Sequence, residues 1–557
     1  MEGDYVIVGG GLTGCVVASR LKQRKPSLEI ILIEAGSDVS NDPDVEAGTF
    51  PGNTSLVGSN LDWTYITEPQ PHTSNRTHEV HAGRAMGGGT SINFGGWSRG
   101  AAMDYDDWAK LAGDERWSHK GLLPYFRRSE SFFDTHADPE YHGFQGPVKV
   151  NSLFSSGRHY PLREPIKQGF NEIGLPFNAD IGTGNTYGVS EFLDTWHDDK
   201  RQTSQKAYGL NGVRVIENAT VHRVEFEPHV ELDVKPKGPQ RVSAVLLANG
   251  QRISARKEVI LSAGTIRTPQ VLLLSGIGAA DELSQHDIPQ IINAPQVGKN
   301  LNDHFAVYQL FKLRKPLALG GPHLSDPIFA RGLPVDWIIN QDVPTDKLSV
   351  ALQKDIAQFG QSDQDILTES ILQPKRSLVE SMVMYAPAGV PGAPVDGSLI
   401  VTSVMLLGST SRGNITIRSP SPMDPPKIHS NYFDTEADRV SLIHGSRRTL
   451  QALLDTKLSE YVEGEVPPPG MSPLNSQSSD AEFEGRIRAT GMAHHHPAGT
   501  AAMGKVVDSN LRVMGVENLR VVDASIFPLS IGGHPQATLY AVAEQAVDII
   551  LGLEPSS

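Results

Sequence analysis

The chain has 557 residues, a formal charge of −15 and 39% hydrophobic residues, so it is too long for one ordinary core and two domains are expected. The acidic balance argues against a general affinity for nucleic acid or anionic lipid, both of which rely on basic surface, and no apolar run reaches the roughly 18 residues of a membrane span. One cysteine, Cys15, excludes an intrachain disulfide, and no signal-like segment precedes the strand that starts at Tyr5, so a cytoplasmic protein is expected.

Asp4 to Val8 reads as a buried parallel strand, followed by Gly9-Gly10-Gly11-Leu12-Thr13-Gly14 and an apolar-periodic helix through Leu21. Gly9 permits the tight turn, Gly11 lets backbone amides approach a pyrophosphate, and Gly14 lets helix and strand pack closely. A second strand, Glu29 to Ile33, ends in Glu34, 20 residues past Gly14, where an acid is expected to hold ribose hydroxyls. Together these features predict a dinucleotide site without separating FAD from NAD.

The small residues Gly87 to Thr90 form a segment that a ring or phosphate can approach closely, and Ile92, Phe94 and Trp97 take it into the interior. Asp104 to Phe133 is amphipathic and helical, with Trp108, Leu111, Trp117, Leu122 and Phe126 as core positions. Residues 135 to 205 read as irregular. Strands are expected at Val213–Ile216, Thr220–Phe226 and Val242–Ala248 as a meander turning at Asn249-Gly250, then at Glu258–Gly264 leading into a helix, Thr268–Ser275. Val297 to His304 reads as a polar turn.

From about 306 to 489 the composition changes to longer loops, with strands at Leu399–Leu407 and Asn414–Ile417 and a helix at Asp434–Leu454. Leu519 to Asp523 is a strand ending in an acid, and Gln536 to Leu551 is a long helix abutting His534. His496 and His534 stand 38 residues apart and are the candidate acid–base pair. The run His494-His495-His496 has no carboxylate or cysteine at ligand spacing, so no metal is expected. On an extended segment His494 and His496 share a face while His495 turns away.

Five separated motifs resemble those of the glucose-methanol-choline (GMC) oxidoreductases, and the match runs through nearly the whole chain. They are the Gly9–Gly14 loop with Glu34; Gly83 to Asn93; Gly264 to Gly278; Val297 to His304; and His496-Pro497-Ala498-Gly499-Thr500-Ala501-Ala502-Met503-Gly504. The resemblance implies an α/β and α+β fold: a Rossmann-like FAD-binding domain (1–160, 205–305 and 490–557) and a substrate domain (161–204 and 306–489) built on an antiparallel sheet flanked by helices.

It also implies non-covalent FAD, because Ile92 stands where some relatives carry a flavin-linking histidine. The cofactor positions it implies are Gly9, Gly11, Leu12, Thr13, Gly14, Glu34, Ala35, Arg84, Gly87, Gly88, Thr90, Asn93, Phe94, Val221, Asp523, Ala524, Pro535 and Gln536. The catalytic pair is His496 and His534, and Phe94 and His494 belong to the substrate pocket. The helix after His534 would stabilise negative charge on a reduced flavin.

A histidine at 534 is nearest the aryl-alcohol and glucose oxidase pattern. The expected reaction is oxidation of a primary alcohol, aromatic or bulky and apolar, with hydride passing to flavin and O2 or another acceptor reoxidising it. A hydroxynitrile lyase-like, non-redox use of the fold is the alternative. Monomer and dimer are both left open.

Overall fold

The structure is a computed structural model and describes residues 1–47, 54–227, 240–315, 332–359, 364–386, 390 and 392–554. Counting the elements that build or frame the site, the chain begins with β1 (Glu2–Val8), α1 (Leu12–Arg24) and β2 (Ile30–Ile33). Next come α2 (Ala102–Ala112), α3 (His119–Ser129), β3 (Gly188–Glu191), β4 (Arg214–Ile216), β5 (Val221–Phe226), β6 (Gln240–Leu247), β7 (Arg252–Leu261) and α4 (Gly264–Leu274). The second half supplies β8 (Phe305–Leu313), β9 (Val335–Gln341), β10 (Val379–Met384), β11 (Leu399–Leu406), α5 (Glu436–Leu454), β12 (Val462–Val466), β13 (Met492–Ala493), β14 (Leu519–Val521) and α6 (Pro535–Leu551).

The first sheet runs β4-β2-β1-β7-β6-β5, with β14 beside the C-terminal end of β7. Its centre is parallel: β1 pairs with both β2 and β7, and every residue of the Ile-Ile-Leu-Ile strand β2 is buried. A continuous apolar run suits a strand with neighbours on both edges and covered faces. Arg214–Ile216 is not the first arm of a meander as the sequence suggested. It pairs in parallel with Ile31–Ile33, because β2 needs a second parallel neighbour and three residues carry too little periodicity to name one. The meander is β5-β6-β7, and β7 joins the two halves by running antiparallel to β6 and parallel to β1.

The expected helical stretch from Asp104 is two helices. Gly113, at φ +65°, ends α2, and the Ser118 hydroxyl caps α3 by accepting from the Gly121 amide. Trp108, Trp117, Leu122 and Phe126 are buried as expected, while Leu111 is only partly so. Residues 135 to 205 hold more structure than expected, including a strand at Val148–Ser152, a helix at Arg163–Glu172 and β3. Proline and glycine in that stretch mask the periodicity.

The second sheet, β12-β8-β11-β10-β9-β3, is antiparallel at every pairing, and β13 adds to β8 beside Ala306. Thus Met492–Ala493, although beyond the boundary expected at 490, hydrogen-bonds to this sheet. α5 covers one face closely: a Cβ on Gly445 would lie 2.4 Å from a methyl of Val379, and Thr449 meets Ser381 at 2.8 Å. Strand alternation therefore turns Glu380, Met382 and Met384 to the other face, toward the first sheet. No helix among the described residues is long and apolar enough to cross a membrane.

Candidate active site

A cavity of about 600 Å3 lies between the two sheets, bounded by the Gly9 loop at one end and by histidines at the other. At the loop end a Cβ on Gly9, whose φ is +101°, would stand 2.3 Å from the Ser262 carbonyl oxygen, and one on Gly14 would stand 1.9 Å from the Gly9 carbonyl. A Cβ on Gly11 would meet nothing nearer than 3.8 Å, so the absence of a side chain there keeps space open over the first turn of α1. That turn has no side-chain cap, which leaves its amides available to an anion.

Glu34 closes this end. Its oxygens accept from the amides of Gly10 and Gly36, each at 2.8 Å, and burial pushes its carboxyl up to about 7. Its remaining lone-pair capacity is open to ribose hydroxyls. Gly83 and Gly88 carry the second motif onto the loop: a Cβ on Gly83 would lie 2.1 Å from the Gly88 carbonyl, and one on Gly88 would lie 2.7 Å from the Gly11 Cα. The Ser262 hydroxyl, also on the wall, has no hydrogen-bond partner among the described residues, as expected of a cradle shaped for a polar ligand. Gly88→Ala, which adds a Cβ where φ is +53°, is expected to lower the flavin content of purified protein severalfold while leaving it folded. The ratio of flavin to protein absorbance checks this, and full occupancy would contradict the cradle.

Most of the expected cofactor positions line the cavity: Gly9, Gly11, Leu12, Thr13, Glu34, Ala35, Gly88, Thr90, Asn93, Phe94, Val221, Asp523, Ala524, Pro535 and Gln536. Gly14, Arg84 and Gly87 do not. Gly14 is a packing contact, Arg84 lies over the Trp63 ring at 4.9 Å, and Gly87, at φ +93°, donates its amide to the Gly10 carbonyl at 2.7 Å. Asp523 is also a brace between β14 and α4: its carboxylate accepts from Gly264, Thr268 and the amide and hydroxyl of Ser525.

At the other end His494, His496 and His534 line the cavity together. The His496 ring stands 5.0 Å from both the His494 and the His534 rings. Each is held from behind: the Tyr308 hydroxyl meets His494 Nδ1 at 2.9 Å, His304 Nδ1 meets His496 Nδ1 at 3.0 Å, and Glu380 Oε1 meets His534 Nε2 at 2.9 Å. The three cavity histidines each offer a nitrogen within 4.8 Å of the others. Local spacing around His494 could not show this group, because its third imidazole comes from the loop before α6. His495 departs from an extended chain, at φ +61°, and its Nδ1 accepts from the His81 amide at 3.3 Å.

The electrostatics divide these rings. Burial, and then the positive charge on His534, hold His496 and His494 well below the usual imidazole value and pull His304 down to about 3. For His534 burial also acts downward, but the charge and hydrogen bond of Glu380 outweigh it, so its pKa is raised. The carboxylate behind His534 thus favours a proton on that ring, while burial favours the neutral form of His494 and His496. The loop carrying His534 is pinned by two contacts: the His534 amide donates to Ser98 Oγ at 2.8 Å and the Gly532 amide donates at 2.7 Å to Asp104, which is itself paired with Arg376 at 2.7 Å.

Sequence reasoning missed Glu380, Tyr308 and the side-chain role of His304. Glu380 did leave a signal, as an acid in Val379–Met384, a strand buried along its whole length. His304 stood in a recognised motif, but a turn pattern says nothing about what its side chain touches.

The model of the N-terminal part of GMC oxidoreductases matches residues 3–306, and that of the C-terminal part matches residues 409–543. Over 555 residues the chain is 38% identical to the GMC-type oxidoreductase acuG of Aspergillus aculeatus, covering 98% of this chain and 99% of that one. It is 32% identical to an oxygen-dependent choline dehydrogenase of Proteus mirabilis, covering 99% and 96%. Among solved structures it is similar to pyridoxine 4-oxidase from Mesorbium loti, with a TM-score of 0.80, 27% identity and 98% of each chain covered. It shares its fold with a fungal aryl-alcohol oxidase, at a TM-score of 0.79 and 24% identity over 99% of each chain. With two family models matched along most of its length and the glycine cradle and paired histidines in one cavity, the chain belongs to the GMC oxidoreductase family of FAD-dependent enzymes.

Proposed function

We propose that the protein oxidises a primary alcohol to an aldehyde, with His496 as the base for the hydroxyl proton and His534 as the cationic group that holds the oxygen. The observation that carries this reading is the pair of rings 5.0 Å apart in one cavity, of which His534 has the Glu380 carboxylate 2.9 Å behind it favouring a proton, while burial lowers the pKa of His496. A neutral imidazole can take the O–H proton, while the imidazolium beside it stabilises the developing alkoxide. As the carbonyl forms, the carbon loses hydride. FAD held in the cradle would supply the two-electron acceptor, with O2 or another compound as the final acceptor.

The residues in the cradle fit a flavin held without a covalent bond, since Ile92 packs among Leu56, Leu61 and Ala85 and offers no nucleophile. We assign the first sheet to the cofactor and the second to the substrate. Phe94, Phe192, Leu333, Met382 and Met384 line the histidine end, and the only carboxylates among the described lining residues are Glu34 and Asp523, at the loop and brace positions. The carboxylate on that side of the second sheet, Glu380, is engaged by His534, so the apolar lining makes an aromatic or bulky apolar alcohol the better fit.

An anaerobic panel of alcohols, read by bleaching of the oxidised flavin band, tests the reading. Benzylic alcohols are expected to bleach it at rates well above choline. Cleavage of cyanohydrins without bleaching would instead support the non-redox alternative, and repeating the panel with oxygen and peroxide detection separates oxidase from dehydrogenase.

A further inference from the structure

We propose that His304 is a positioning residue that keeps the single proton of His496 on Nδ1 and so leaves His496 Nε2 bare toward the cavity. This rests on the reading of His496 as the base.

Asp303 and His304 together grip the segment that carries His496. Asp303 Oδ1 accepts from the His496 amide at 2.7 Å, while its Oδ2 accepts from the Tyr432 hydroxyl at 2.6 Å. The His304 carbonyl accepts from the His494 amide at 2.9 Å. Backbone on both sides of residue 495 is thereby fixed to one dipeptide.

The side chain of His304 then sets the proton. Its Nδ1 faces His496 Nδ1 at 3.0 Å, and two ring nitrogens at that distance need one proton between them. Its Nε2 lies 3.2 Å from the Ile531 carbonyl oxygen and 3.0 Å from Ser530 Oγ. A carbonyl can only accept, so Nε2 is the N–H. Burial and the His534 charge keep His304 neutral, with a pKa of about 3, so it has no second proton to give. Nδ1 of His304 is therefore the acceptor, and His496 Nδ1 donates to it.

His496 is itself neutral, so its remaining nitrogen, Nε2, carries only a lone pair. The Leu407 carbonyl also faces the His304 ring. A proton turned toward it would leave the Ile531 oxygen against a bare nitrogen, an unmet acceptor in a buried place. The arrangement follows a general rule for histidine, in which the partner of one nitrogen decides what the other can do.

Two variants separate this role from mere packing. His304→Leu removes the acceptor, whereas His304→Asn places an amide oxygen near the position of Nδ1. In the holoenzyme the Leu variant is expected to lose about 10- to 100-fold in the rate constant of anaerobic flavin reduction, with the alcohol Kd within about threefold, and the Asn variant to recover most of the loss. Ring-15N spectra of wild-type holoenzyme, with His496 assigned through His496→Ala, are expected to show its proton on Nδ1. Equal losses in the two variants, an undiminished rate in the Leu variant, or a proton on Nε2 of His496 would overturn the proposal. If His496→Ala reduces flavin at full rate, the base assignment fails, and the spectra still decide the tautomer.

Discussion

His496→Ala is expected to slow anaerobic reduction of the flavin by alcohol by about 100- to 10,000-fold while the flavin stays bound. The range is what a well-placed general base contributes, about 2.7 to 5.5 kcal/mol of barrier at 1.36 kcal/mol per tenfold. The proposed cofactor cradle lies at the glycine end, so truncating a ring at the far wall of the cavity leaves Glu34 and the loop in place. Because burial and the His534 charge hold the His496 pKa well below the usual value, the ring is already in its basic form at neutral pH. Acidifying wild-type enzyme from pH 8 to pH 6 should therefore not switch the base off. Stopped-flow reduction with saturating benzylic alcohol measures both points, and reduction at the wild-type rate in the Ala variant would remove His496 from the chemistry.

What the sequence disclosed and what it hid differ by range along the chain. The strand, glycine loop, helix and Glu34 at the N-terminus lie within about 35 residues, and each residue type answers a local demand of backbone shape or charge. They could be read directly. His496 and His534 were readable from their motifs, although not their protonation. The pairing of β4 with β2 was not, since residues 214–216 and 31–33 meet only through a crossover of about 180 residues.

The same limit applied to Glu380 and His534, which are 154 positions apart and meet because strand alternation turns Glu380 to the cavity side of the second sheet. Asp523 was readable as a position of the family motif, but satisfaction of its carboxylate by Thr268, Ser525 and the Gly264 amide is a tertiary fact that the motif does not show. A motif names the residue that arrives at a site, and the fold decides which of its atoms remain free.

Glu380→Gln tests the other half of the pair, with an expected loss of about 10- to 100-fold in flavin reduction at neutral pH. Glutamine keeps the size and an acceptor oxygen for His534 Nε2, but not the charge. In the wild type burial works against the imidazolium and the Glu380 charge more than offsets it, so the His534 pKa is raised. The sign follows: the cation, and the stability that its pair contributes, are present below the ordinary value near 6.5 and are lost as pH rises through the raised folded value. Reduction should accordingly fall on the alkaline side in wild-type enzyme. With the carboxylate gone only the downward pull of burial remains, so in Glu380→Gln the same fall should begin at lower pH, below the ordinary imidazole value. His534→Asn, which has no ring to titrate, should be slow and show no alkaline fall of this origin. A Gln variant whose pH profile overlays that of the wild type would mean that His534 acts as a neutral donor and that Glu380 is only its anchor.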